Sequence, residues 1–225
     1  MLRQDRSLKV APAIMDADLA RISRAVAELQ RAGVDCLHVD IMDGHYVPSL
    51  VGGRRVVAAI KREADIPVDV HLMVSNPDEA VHWFIDSGAD TLLFHPEVAD
   101  DARGTLRTIH NAGRRGGIVL NPGMDPDIGE GLYEVVDCLL AMTVVPGKSG
   151  QAFMPEACTV IPELRKRCGP STDIYVDGGI DVETAPTAVE SGANVLAAAS
   201  AFFAAERSYD ETARLLRGET EDKDQ

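Results

Sequence analysis

The chain has no basic charge to spare. Its 22 lysines and arginines stand against 36 aspartates and glutamates, a formal charge of −14. A nucleic-acid surface needs a basic patch, so none is expected here. No apolar run approaches the roughly 18 residues of a membrane span, and no signal-peptide pattern opens the sequence. Cys36, Cys138, Cys158 and Cys168 form no C-x-x-C pair, so they read as reduced thiols rather than a metal or disulfide framework. These absences point to a soluble, cytoplasmic protein without a membrane or nucleic-acid partner. With 225 residues, 45% of them hydrophobic, the chain can bury the core of one α/β domain. That domain is expected over residues 1–217. The acidic end, 218–225, reads as a disordered, solubilising tail.

What is present is a repeat. Ala32-Gly33-Val34-Asp35, Ser87-Gly88-Ala89-Asp90 and Ser191-Gly192-Ala193-Asn194 each precede an apolar run. A glycine just past a helix end is the usual left-handed cap, so each string marks a helix stopping and a strand starting. Stretches such as Asp18 to Arg31 and Pro77 to Ser87 carry apolar residues at helical spacing. Eight strand-like runs follow in order: Lys9–Ile14, Cys36–Met42, Val68–Val74, Thr91–Glu97, Gly116–Pro122, Cys138–Val144, Asp173–Gly179 and Asn194–Ser200. A helical or polar stretch follows each. Eight βα units imply a parallel sheet closed on itself, a single-domain (β/α)8 TIM barrel. A doubly wound open sheet is the alternative, but no glycine-rich dinucleotide turn follows the first run.

The polar residues fall where such a barrel keeps its chemistry, at the C-terminal ends of the strands. Side chains alternate faces along a strand, so His38, Asp40 and Met42 share one face, as do Asp69, His71 and Met73. His95, Glu97, Asn121, Met142 and Asp177 fall at the ends of later runs. His38, Asp40, His71 and Asp177 would bring two imidazoles and two carboxylates to one point. Mixed nitrogen and oxygen ligation suits one divalent ion such as Zn²⁺, Mn²⁺, Co²⁺ or Fe²⁺.

A second group of residues suggests the substrate class. Val145-Pro146-Gly147-Lys148-Ser149-Gly150-Gln151 follows the sixth run, Gly178-Gly179 the seventh, and Ser200 closes the eighth. Glycines let backbone N–H groups approach an anion, and barrels often hold phosphate near their last strands. Gly147-Lys148-Ser149 is not a P-loop, because the glycine that motif needs five residues earlier is Met142.

At this point the residues resemble the ribulose-phosphate 3-epimerase family. The strings are His38-Val39-Asp40-Ile41-Met42-Asp43-Gly44-His45-Tyr46-Val47-Pro48, Asp69-Val70-His71-Leu72-Met73-Val74, Phe94-His95-Pro96-Glu97, Asn121-Pro122, Met142 with Pro146-Gly147 and Gly150-Gln151, and Val176-Asp177-Gly178-Gly179. They run in order from about Val10 to Phe203. The resemblance implies a (β/α)8 barrel that interconverts ribulose 5-phosphate and xylulose 5-phosphate, and commonly forms homo-oligomers. It implies His38, Asp40, His71 and Asp177 as ligands of one divalent ion (Zn, Fe, Mn or Co), with Asp40 and Asp177 as acid/base pair. His71, Gly147, Lys148, Ser149, Gly150, Gly178, Gly179, Ala199 and Ser200 become substrate or phosphate contacts. Ala13, Met42, Met73 and Met142 become pocket lining.

The chain departs from the family's usual pattern at four places, five residues in all. Pro12-Ala13-Ile14 replaces Pro-Ser-Ile, Pro48-Ser49 replaces Pro-Asn, Lys148-Ser149 interrupts Pro-Gly-Phe-Gly-Gly-Gln, and Ala199-Ser200 replaces Gly-Ser. The acid/base and ligand positions survive, whereas contacts that choose the sugar are altered. A related ketose phosphate such as allulose 6-phosphate, a barrel lyase such as hexulose-phosphate synthase, and a non-catalytic sugar-phosphate binder are the alternatives.

Overall fold

The computed structural model describes residues 7–129, 131–204 and 206–219. Most of the acidic tail, from position 220 onward, lies outside them. Nine strands form one sheet: β1 (Lys9–Pro12), β2 (Leu37–Asp43), β3 (Leu50–Val51), β4 (Val68–Met73), β5 (Thr91–Phe94), β6 (Arg115–Leu120), β7 (Cys138–Met142), β8 (Asp173–Asp177) and β9 (Val195–Ala198). Their order is β1-β9-β8-β7-β6-β5-β4-β2-β3. All neighbours run parallel except β3, which folds back antiparallel on β2. A bridge between Ala13 and His38 joins β1 to β2 and closes the eight parallel strands into the expected barrel.

Around it lie α1 (Ile22–Arg31), α2 (Arg54–Glu63), α3 (Pro77–Asp86), α4 (Ala102–Asn111), α5 (Ile161–Cys168), α6 (Ala185–Ser191), α7 (Ser200–Phe203) and α8 (Tyr209–Leu216). Each long helix turns one stripe inward: Ala25, Val26 and Leu29 on α1, and Thr105, Leu106 and Ile109 on α4. Between β6 and β7 no α-helix forms among the described residues. Pro122, Gly123, Pro126 and Gly129 break any helical run there.

The repeat has a mechanical explanation. Gly33, Gly88 and Gly192 take φ of +73°, +91° and +115°, the left-handed conformation that ends a helix. The acid or amide two residues on then clasps the preceding strand. Asp35, Asp90 and Asn194 each accept from a backbone N–H, of Val10, Val68 and Ile174, at 2.8 Å. Their own N–H groups donate back to the carbonyls of the same three residues. Asp137 does the same to Gly116 without the glycine signature.

Asp173 anchors the same end of the barrel. Its carboxylate meets Lys9 at 2.9 Å, Arg115 at 2.8 Å and the Asn194 amide at 2.7 Å. Burial alone would raise its pKa, but these three donors outweigh burial and bring it down to about 2. A folded-state value below the unfolded one stabilises above about pH 4, and the contribution is lost as pH falls towards 2. Asp173→Asn is therefore expected to cost about 2 kcal/mol at pH 7. In urea unfolding the gap from wild type should close near pH 2; an undiminished gap there would contradict this account.

The barrel interior explains one difference from the sequence reading. Asp69, His71 and Met73 do share the inward face, but consecutive inward residues lie about 6.6 Å apart along a strand. Asp69 therefore sits in a lower layer, fully buried, where the Tyr175 hydroxyl donates to it at 2.8 Å. It packs beneath the rim and takes no part in the site.

Candidate active site

Register aligns the rim. Asp40 on β2 lies beside His71 on β4, Met42 beside Met73, and Met142 on β7 beside Asp177 on β8. One ligand atom from each of His38, Asp40, His71 and Asp177 falls within 4.8 Å of the others. His71 Nδ1 lies 3.1 Å from Asp40 Oδ1 and 3.5 Å from Asp177 Oδ2. His38 Nε2 lies 3.5 and 3.8 Å from the same two oxygens. Two ligands bound tetrahedrally at about 2.1 Å from one ion sit about 3.4 Å apart, so these separations suit a single divalent ion.

His38 supplies an independent test of that fit. Its ring is fully buried, and neither nitrogen has a hydrogen-bond partner. Buried polar groups are rarely left so, and a cation among the four donors would satisfy Nε2. Electrostatics agree. Burial disfavours a charged His38, yet the adjacent Asp40 and Asp177 carboxylates raise its pKa. Burial likewise opposes protonation of His71, but Asp177 and Asp40 push that ring up to about 9. Burial would raise Asp40, and the two rings instead hold it well below the usual carboxylate range. The cluster thus favours positive charge at its centre.

Above it opens a cavity of about 300 Å³. Asp40 and Asp177 face it, as do Ala13, Met42, Met73 and Met142. Gly147, Lys148, Ser149, Gly150, Gly178, Gly179, Ala199 and Ser200 also line it. His38 and His71 lie behind the carboxylates and do not line it. His71 is thus the one expected substrate contact whose side chain does not line the cavity.

Two of the altered positions have structural work. The Ser49 hydroxyl donates to the Gly147 carbonyl at 2.6 Å, and the Ser149 hydroxyl donates to Asp16. Together they pin the 145–151 loop across the mouth. Gly178 cannot carry a side chain there: a Cβ would meet Val144 Cγ2 at 2.4 Å, and its φ is +114°. Asp43 organises the neighbouring loops. Its carboxylate accepts at 2.8 Å from the N–H groups of His45, Tyr46 and Ser75 and from the Ser75 hydroxyl. Burial would raise its pKa, but these donors lower it to about 2.

Sequence reasoning missed Asp16, which lines the cavity and anchors its loop. It also left His95, Glu97 and Asn121 as rim polar groups without roles. His45 is exposed and bonded to its own loop, and His82 is exposed. His110 is half-buried and pairs with Asp137 at 2.9 Å.

Comparison with known proteins agrees with this architecture. The family model "Ribulose-phosphate 3 epimerase family" matches residues 9–203. The ribulose-phosphate 3-epimerase of Bacillus subtilis is 38% identical over 200 residues, 87% of this chain and 92% of its own. The chloroplastic ribulose-5-phosphate-3-epimerase of Arabidopsis thaliana is 39% identical over 213 residues, 92% of this chain and 75% of its own. Among solved structures, 3-hexulose-6-phosphate synthase from Salmonella typhimurium superposes with a TM-score of 0.71. It covers 94% of this chain and 97% of its own at 18% identity, a likeness of fold. The chain therefore belongs to the ribulose-phosphate 3 epimerase family, an isomerase acting on carbohydrate.

Proposed function

We propose that the protein inverts C3 of D-ribulose 5-phosphate to give D-xylulose 5-phosphate, with a divalent ion held by His38, Asp40, His71 and Asp177. One observation carries the reading: two carboxylates face a single cavity while converging on the same pair of buried imidazoles. The C3 proton of a 2-ketose is acidic because the carbanion delocalises onto the C2 oxygen, giving an ene-diolate. A divalent ion, when bound, supplies Lewis-acid stabilisation of that developing charge. One aspartate removes the proton from one face of C3, and the other delivers a proton to the opposite face. Met42, Met73 and Met142 wall the reacting carbons with polarizable sulfur and offer no competing acidic proton. The backbone around Gly147–Gly150, Gly178–Gly179 and Ala199–Ser200 receives the phosphate.

Lys148 carries the specific expectation for this chain. It is the one cation among the described residues lining the cavity, against Asp16, Asp40 and Asp177. An exposed pair with phosphate contributes about 1 kcal/mol and is screened by salt. Lys148→Gln should raise KM about fivefold at low salt, leave kcat unchanged, and lose most of its effect in molar salt. The parent reading is tested with ribulose 5-phosphate in D₂O, where product should form with deuterium at C3. Absence of both product and exchange would refute it, and faster turnover of a six-carbon ketose phosphate would reassign the substrate.

A further inference from the structure

Hydrogen bonds continue from His71 away from the cavity. His71 Nε2 lies 3.0 Å from His95 Nε2, and both rings are fully buried. His95 Nδ1 lies 2.8 Å from the Tyr46 hydroxyl, which donates to Glu97 Oε1 at 2.7 Å. The Asn121 amide donates to both Tyr46 Oη and Glu97 Oε1, at 2.8 and 2.6 Å. Four elements of the rim therefore meet in one chain of contacts: β4, the segment after β2, the turn after β5 and the end of β6.

Proton counting gives this chain a direction. Two imidazole nitrogens facing each other share one proton. An ion on His71 Nδ1 needs the lone pair there, so His71 carries its proton on Nε2 and donates to His95. His95 then keeps its own proton on Nδ1 and donates to Tyr46. The phenol accepts from His95 and Asn121 and passes its proton towards Glu97, which uses all its bonding capacity. Each donor has one acceptor, and the negative end lies farthest from the ion.

We propose that Tyr46, His95, Glu97 and Asn121 are positioning residues that hold His71 in the tautomer whose Nδ1 is free for a cation, and raise that nitrogen's basicity. The inference rests on the ion-binding reading given above. Hydrogen-bonded partners behind a metal-binding histidine do this generally, and their loss weakens metal binding about 10–100-fold.

The test is a Co²⁺ titration of the metal-free full-length protein, followed by visible absorption, with thermal unfolding of the same samples before Co²⁺ is added. Tyr46→Phe removes one hydroxyl and should weaken Co²⁺ binding about 10–100-fold. Glu97→Gln keeps an acceptor for Tyr46 but removes the charge, and should weaken binding less, in the same direction. A merely structural role would lower the unfolding temperature of the metal-free variants and leave Co²⁺ affinity alone. Wild-type affinity in both variants overturns the inference; if Tyr46→Phe does not fold, Glu97→Gln decides it. Failure of the wild-type protein to take up Co²⁺ would instead overturn the ion-binding reading, and the inference with it.

Discussion

Asp177→Asn is expected to lower epimerase turnover by about a thousandfold or more while leaving the barrel folded. Asparagine keeps the volume and one oxygen donor but cannot cycle a proton, and positioned acid/base groups contribute about 10²–10⁴-fold. The more discriminating readout is isotope exchange. With Asp177 unable to act, Asp40 can still take a proton from one face of C3 and return one from solvent to the same face. Asp177→Asn should therefore exchange C3 deuterium into one epimer without inverting it, and Asp40→Asn should do so with the other epimer. Co²⁺ absorption on each variant shows that the ion site is loaded during the assay. Near-wild-type turnover in Asp177→Asn, or loss of exchange with both epimers in both loaded variants, would overturn the two-carboxylate scheme.

The pairing of Asp40 with Asp177 shows what kind of information this sequence exposes. Alternation along β2 and β4 put His38, Asp40 and His71 on inward faces before any fold was known, because period two is a local property of the chain. Asp177 joins them only through barrel closure, far away in sequence, and it was legible because eight apolar runs punctuated by helix-capping glycines count out the barrel. Alternation gives a face and not a depth, which is why Asp69 was grouped with His71 although it bonds Tyr175 in the layer below. Apolar runs also overshoot strands. Thr91–Glu97 reads as one run, but β5 ends at Phe94, where Pro96 starts a tight turn that aims His95 and Glu97 at Tyr46. β3 was invisible because two residues carry no period.

The altered positions follow the same logic. Ser49 and Ser149 were noted as departures from substrate contacts, yet their hydroxyls fasten the 145–151 loop to its neighbours. Neither partner, the Gly147 carbonyl nor Asp16, is near in sequence to the serine it binds. Only the closed rim brings them together. Loop chemistry that depends on two distant segments meeting is the part a single sequence leaves dark.

His38→Leu gives the second large expected effect, on stability rather than rate. In wild type, an ion bound as proposed and supplied at about a hundred times its dissociation constant would stabilise the fold by about 2.7 kcal/mol. For a domain of this size that raises the melting temperature by about 5–10 °C over the chelated protein. His38 is the informative residue to remove, since no hydrogen bond holds either ring nitrogen. His71, by contrast, also bonds His95. Two opposing effects act on the metal-free variant: the ring's attraction to Asp40 and Asp177 is lost, and an unsatisfied buried polar group, worth about 1–3 kcal/mol, is removed. The metal-free melting temperature is therefore expected to change little. The ion-dependent rise should nearly vanish, because only Asp40, His71 and Asp177 of the four converging donors remain. Thermal melts of both proteins with chelator and with Zn²⁺ or Co²⁺ decide the matter. An equal rise in His38→Leu would mean that cations bind elsewhere, and that the four-residue cluster is not the site they stabilise.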